Sequence, residues 1–169
     1  MRKQYINYPS NLPVNISYYN IHNYPTHWHN STEIIYVLEG SINISIDTDS
    51  FTLKENEVEI INPDECHSFS SENDNKVLIF QIDPDFFEKY YKDIRNVFFY
   101  TNSNDEEDQN GEKYDELKSL LCKILCEFVQ TLEDFDEQIE DILINLLYHL
   151  INNFHYLTTD KEELKEKSE

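Results

Sequence analysis

The chain has 169 residues, enough for one compact domain with a buried core and no covalent staples. Its 34 acidic residues against 13 basic ones give a formal charge of −21, which excludes gripping a phosphate backbone directly and repels anionic membranes. Three cysteines, Cys66, Cys122 and Cys126, are an odd number without secreted-framework spacing and fit a reducing compartment.

The first eight residues hold no apolar signal core, and no uninterrupted apolar run approaches the ~18 residues of a membrane span, so a cytoplasmic location is expected. Only Gly40 and Gly111 are glycines, so the turns must rely on Asn, Asp, Ser and Pro. Residues 34–38 are apolar throughout, as in a strand covered on both faces. Ile42, Ile44 and Ile46 alternate with Ser41, Asn43 and Ser45, which predicts a half-buried strand. Residues 47–50 form a turn cluster and Phe51 opens the return strand; further strands are expected at 58–61 and 77–82. Short strands packed this closely predict a barrel or sandwich.

After Pro84 the pattern changes. Asp83 is placed to cap a short helix with Pro84 at its first position, and 97–100 reads as another strand. Residues 102–110 are polar and acidic, as in a solvated loop. Two apolar stripes of helical period follow, one from Tyr114 to Leu132 and one from Phe135 to Phe154, with a break at Glu133 and Asp134. A short connection makes them an antiparallel hairpin. One side of it can lie on the barrel, and extra apolar positions such as Ile144 imply a second subunit. The division expected is a barrel with an N-terminal arm over 1–100, an acidic loop and helical hairpin over 101–158, and a charged linker over 159–169.

The chemistry gathers at His27-Trp28-His29, with Glu33 after three residues, Gly40 after six more, and a second half running from Pro63 to His67. His27 and His29, two apart on a strand, point to one face; Glu33 shares their parity, and His67 can close the site from a facing strand. Imidazole nitrogens and a carboxylate suit a divalent transition metal (Zn, Ni, Mn or Fe) or form a polar lining for a small molecule. Trp28 falls on the opposite side of its strand, where it packs under the arm or the hairpin. Tyr18 and Tyr19 precede the barrel and either close its mouth or pack in a strand. Cys66, beside His67, faces away from it, and Cys122 and Cys126 lack nearby histidines that would make them a zinc site. His149 and His155 are read as surface or interface residues of the last helix.

The order of His27, His29, Glu33, Gly40 and the later His67 resembles the two motifs of the cupin superfamily, whose members are double-stranded β-helical (jelly-roll) barrels. By that resemblance all four polar residues fall on metal-ligand positions. The glycine opening the first motif would fall at Ile21, the glycine-acid pair of the second reads Asn56-Glu57, the small residue after the proline is Asp64, and the asparagine that ends the second motif would fall at Ser71. These departures touch turn positions, not ligand positions. Residues 23–29, 33–40, 60–68 and 80–83 are similar, more specifically, to the N-terminal effector domain of AraC-type transcription regulators, over about residues 14 to 157.

This resemblance implies a cupin barrel followed by a helical dimerisation hairpin, carrying the dimer on Leu143, Ile144, Leu146, Leu147, Leu150 and Ile151. It implies a small polar effector, such as a sugar, bound near His27, His29, Glu33, His67, Tyr18 and Tyr19, whose binding biases an arm of roughly residues 1–19 or the hairpin. DNA would be reached only through a C-terminal helix-turn-helix domain that this sequence does not supply. The expected function is effector sensing without catalysis, and the alternative is a metal-dependent cupin enzyme of isomerase or dioxygenase type.

Overall fold

The structure, a computed structural model, describes residues 2–9, 12–101, 111–130 and 135–158. The expected acidic loop at 102–110, the helix break at Glu133 and Asp134 and the charged linker at 159–169 lie outside the described residues.

The strands run β1 (Arg2–Lys3), β2 (Val14–Tyr19), β3 (Asn23–Trp28), β4 (Thr32–Glu39), β5 (Ser41–Ile46), β6 (Asp49–Lys54), β7 (Val58–Ile61), β8 (His67–Ser70) and β9 (Lys76–Ile82). They form two sheets, one ordered β2-β9-β4-β7 and the other β3-β8-β5-β6, with β1 added in parallel at the free edge of β3. The two interleaved four-stranded orders, with antiparallel pairing within each, are the jelly-roll expected from the sequence.

Side-chain parity explains why residues 34–38 are apolar on both faces. Ile35 and Val37 join Ile42, Ile44, Leu53, Ile61, Phe69, Val77 and Ile79 inside the barrel, while Ile34 turns outward with Val58, Ile60, Leu78, Phe80 and Ile82. That outer face is covered by helices α1 (Pro84–Tyr90), α2 (Glu112–Val129) and α3 (Phe135–Asn153). The Asp83 side chain caps α1 by accepting the Asp85 amide at 2.9 Å. In α2 and α3, Tyr114, Leu117, Leu121, Ile124, Ile139, Leu143, Leu146, Leu147 and Leu150 are fully buried. At roughly 1.5–3 kcal/mol per large apolar side chain, this layer is a major part of the domain's stability. The hairpin is antiparallel: His149 near the end of α3 bonds the Lys113 carbonyl at the start of α2 at 2.7 Å, and the Tyr114 and Phe154 rings meet at 5.1 Å.

Turn chemistry follows the shortage of glycine. Gly40 has φ +78°, and a Cβ there would lie 2.8 Å from the Asp74 carbonyl oxygen. Asp47, Asn56 and Asp64 also adopt positive φ, so Asn and Asp take left-handed turn conformations that glycine would otherwise supply.

Three expectations are corrected. Residues 14–19 belong to the barrel as β2, fully paired with β9, so the arm ends before Val14. The last helix stops at Asn153; His155 lies on strand β11 (His155–Thr158), which pairs with β10 (Val97–Tyr100), because Phe154 turns into the core and the chain then extends. The leucines assigned to a dimer face, Leu143, Leu146, Leu147 and Leu150, lie wholly within the chain's own core, leaving Ile144 and Ile151 half-buried. The chain's own core takes up more of the α3 stripe than the sequence pattern alone could apportion.

Candidate functional site

His27 ends β3 and pairs directly with His67 on β8, so these two imidazoles are neighbours in one sheet. His67 therefore closes the site from the adjacent strand, not from a facing one. Glu33 comes across the barrel from β4, and His29 lies in the short crossing between them. All four side chains are at least 95% removed from solvent. The ring centroids of His27 and His67 are 4.1 Å apart and those of His29 and His67 are 5.0 Å apart.

The hydrogen bonds fix which nitrogens face inward. A carbonyl can only accept, so His27 Nδ1 donates to the Pro25 oxygen at 3.0 Å and His67 Nδ1 donates to the Glu65 oxygen at 2.9 Å. Each ring then turns its Nε2 towards the centre. His29 Nε2 donates to Glu33 Oε2 at 2.9 Å, and its Nδ1 lies 3.0 Å from the Ser31 hydroxyl, which serves either tautomer because it both donates and accepts. Gln81 Nε2 donates to the same Glu33 oxygen at 2.8 Å.

Electrostatics sharpen the arrangement. Burial pushes the Glu33 carboxyl towards its neutral form, but hydrogen bonds and charge from His29 and His67 outweigh it and hold the group well below the usual carboxylate range. Burial pulls His67 down, yet its bond and attraction to Glu33 raise it overall. Burial and the neighbouring His67 push His27 down to about 4.

One contact is incomplete. Glu33 Oε1 and His67 Nε2 face each other at 3.5 Å, both fully enclosed and without another hydrogen-bond partner. A carboxylate oxygen and an imidazole lone pair repel, so a cation, either a proton or a metal ion, belongs between them. Ligand nitrogens of His27, His29 and His67 lie within 4.8 Å of one another, close enough for one ion. The Nδ1 anchors on Pro25, Glu65 and Ser31 are of the type that holds metal-binding imidazoles in register. The residue types and geometry thus fit a divalent transition metal once His29 carries its proton on Nδ1, donating to the Ser31 hydroxyl, and frees Nε2 from Glu33.

Beside this centre is a cavity of about 270 Å³, lined among others by His27, Glu33, Gln81, Asn15, Ser17 and Tyr24. Gln4, Tyr5 and Asn7 of the arm also line it, held in place as β1 pairs with β3 and the Gln4 amide bonds the Trp28 carbonyl at 2.9 Å. Trp28 packs under the arm, with Lys3 Nζ 4.8 Å from its ring. Among the described residues lining the cavity none is Lys or Arg. Tyr19 lines the cavity while Tyr18 points to solvent, since adjacent residues on β2 face opposite ways. Asn15, Ser31 and Gln81 escaped the sequence reading. The available signal was Gln81 standing alone among the inward positions Val77 and Ile79.

Cys122 and Cys126 are exposed on α2, away from the histidines, and Cys66 is half-buried. No described helix is long and apolar enough to cross a membrane.

Partial likeness to solved structures is limited. A conserved protein of unknown function from Streptococcus pyogenes is 14% identical over 44% of this chain and 68% of its own, with TM-score 0.41. A cupin-2 domain protein from Shewanella frigidimarina is 20% identical over 41% and 68%, TM-score 0.37. A cupin superfamily protein from Desulfitobacterium hafniense is 16% identical over 45% and 72%, TM-score 0.41. No curated protein matches the chain in sequence. The sequence profile of the AraC-like ligand-binding domain, by contrast, matches residues 16–147, from β2 through most of α3, and covers both the histidine centre and the helical layer. The chain therefore belongs to the AraC-like ligand-binding domain family.

Proposed function

We propose that this chain is the effector-sensing and dimerisation domain of an AraC-type transcription regulator and takes a small polar ligand into the barrel. The observation that carries this reading is the shared wall of the cavity: the residues beside the histidine centre and the residues of the arm line one space of about 270 Å³. A ligand there touches both, so its binding energy differs between arm-closed and arm-open states, which is what a sensor requires. The lining is rich in amides and hydroxyls and contains no Lys or Arg among the described residues, which favours an uncharged hydroxylated molecule such as a sugar. Thermal unfolding with a library of sugars, amino acids and small acids tests it, since a ligand bound only to the folded state raises the midpoint. A stabilising hit that is lost on deleting residues 1–9 supports the reading, and the absence of any hit overturns it.

The facing pair Glu33 Oε1 and His67 Nε2 favours a second element, a divalent transition metal held by His27, His29, His67 and Glu33. Such an ion acts as a Lewis acid and lowers the pKa of bound water, which becomes enzyme chemistry only where a substrate reaches it. Elemental analysis of protein purified without an affinity metal tests occupancy, and loss of metal in a His27→Ala, His67→Ala double variant locates it. Turnover on a small substrate would move the assignment to a metal-dependent cupin enzyme. A dimer through α3 has Ile144 and Ile151 available as contacts. Ile144→Lys should give monomer in sedimentation analysis, and an unchanged dimer would exclude that face.

A further inference from the structure

The polar residues on the inner face of the β2-β9-β4 sheet form a row. Asn15, Gln81 and Glu33 are direct cross-strand partners on three successive strands. Their side chains join end to end: Asn15 Nδ2 donates to Gln81 Oε1 at 3.0 Å, and Gln81 Nε2 donates to Glu33 Oε2 at 2.8 Å. The row has a direction. Because Asn15 engages the Gln81 carbonyl oxygen, the Gln81 amide must present its NH₂ to Glu33; turned around, it would set an oxygen against a carboxylate. Glu33 Oε2 is then saturated by Gln81 and His29, and Oε1 is left turned to His67.

The terminal torsion of a glutamate is broad, and His29 must give up the Nε2 proton it donates to Glu33 before it can hold a cation, which leaves Gln81 as the remaining donor to Oε2. We propose that Asn15 and Gln81 are positioning residues that lock the Glu33 carboxylate in the rotation offering Oε1 to a divalent cation held by His27, His29 and His67. This rests on the metal reading above and goes beyond it by assigning a role to two residues outside the ligand set. Gln81 is 6% exposed and serves no apolar packing that an isoleucine at the same inward position would not serve better, so its conformation reflects the two bonds it makes.

The test titrates Co(II) into the metal-free full chain and follows visible absorption, for the wild type and for Gln81→Leu, Asn15→Ala and Asn15→Asp. Removing a hydrogen-bond partner that orients a metal ligand weakens metal binding by about 10–100-fold, and Gln81→Leu should weaken Co(II) within that range and change the intensity of its visible bands. Asn15→Asp is the sharper arm. An aspartate only accepts, so it draws the Gln81 NH₂ towards itself and turns the amide oxygen to Glu33. It should therefore weaken Co(II) more than Asn15→Ala does, whereas for a packing role the isosteric Asp is the milder change. Thermal unfolding of each metal-free variant checks the fold, and the Asn15 pair decides if Gln81→Leu does not fold. A wild type that takes up no Co(II) overturns the metal reading and this inference together. A wild type that binds while Gln81→Leu binds within twofold, or while Asn15→Asp binds no worse than Asn15→Ala, overturns this inference and leaves the metal reading standing.

Discussion

Replacing Glu33 by leucine tests whether the buried polar centre is also a structural element. Glu33 is 1% exposed, accepts from His29 and Gln81, and faces His67. Leucine is of similar size and removes the charge while leaving the three partners enclosed. Losing one member of a buried charged network costs about 3–5 kcal/mol, because the remaining groups stay desolvated and unpaired. The extra methyl groups of leucine return about 1–2 kcal/mol, so a net loss of about 1–4 kcal/mol is expected. Trp28, the single tryptophan, lies half-buried under the arm and gives a fluorescence signal for unfolding. In urea with a chelator at pH 7, a slope of about 2 kcal/mol per molar turns this loss into a midpoint lower by about 0.5–2 M. Adding Gln81→Leu to Glu33→Leu removes one of the stranded donors and should recover part of the loss. A Glu33→Leu protein with an unchanged or higher midpoint would refute the reasoning and mark the carboxylate as a site feature that costs stability.

The neutral state of His27 should persist to about pH 4 in proton NMR of the metal-free protein. Its folded value lies below the unfolded value of about 6.5, so the unfolded chain binds more protons in between; His27's contribution to stability is complete above 6.5 and is lost as pH falls to 4. Gly40→Ala places a methyl 2.8 Å from the Asp74 oxygen at a positive φ and should destabilise by at least about 1–2 kcal/mol in the same urea assay. Lys3→Ala removes a cation over Trp28, a contact of about 0.5–1 kcal/mol, and should speed hydrogen exchange at the Gln4 amide by about two- to fivefold; unchanged exchange would show that strand pairing alone holds the arm. Leu147→Ala, at a fully buried position, should cost about 2–5 kcal/mol, a loss that an intersubunit role alone would not produce in a monomer.

Much of the barrel was legible because strand signals are local. Alternation at 41–46, the two-faced run at 34–38 and the Asp83-Pro84 cap each map one residue to one environment. The spacing of His27, His29, Glu33 and His67 marked them as a set that the structure brings together, although His29 lies in the crossing between β3 and β4, where strand parity gives no direction. What failed depends on partners distant in the chain. Residues 14–19 form a strand because β9 offers a matching edge, and 155–158 extend because β10 lies beside them. The α3 stripe could not be divided between core and exterior until the chain's own core claimed four of its leucines. Asn15 and Gln81 meet across 66 positions of sequence, a separation at which an amide pair leaves no local signature.

Asn62 gives the final strand a different significance. Its side chain grips β10 from both sides, donating to the Phe99 carbonyl at 3.0 Å and accepting the Phe99 amide at 2.8 Å. Its own amides bond Glu65 Oε2 at 2.7 and 3.1 Å, and the Glu65 carbonyl holds His67. His67 and β11 are thus joined through one continuous set of bonds that passes by way of Glu65, Asn62 and Phe99. The connection runs through hydrogen bonds and strand pairing alone and passes through neither α2 nor α3.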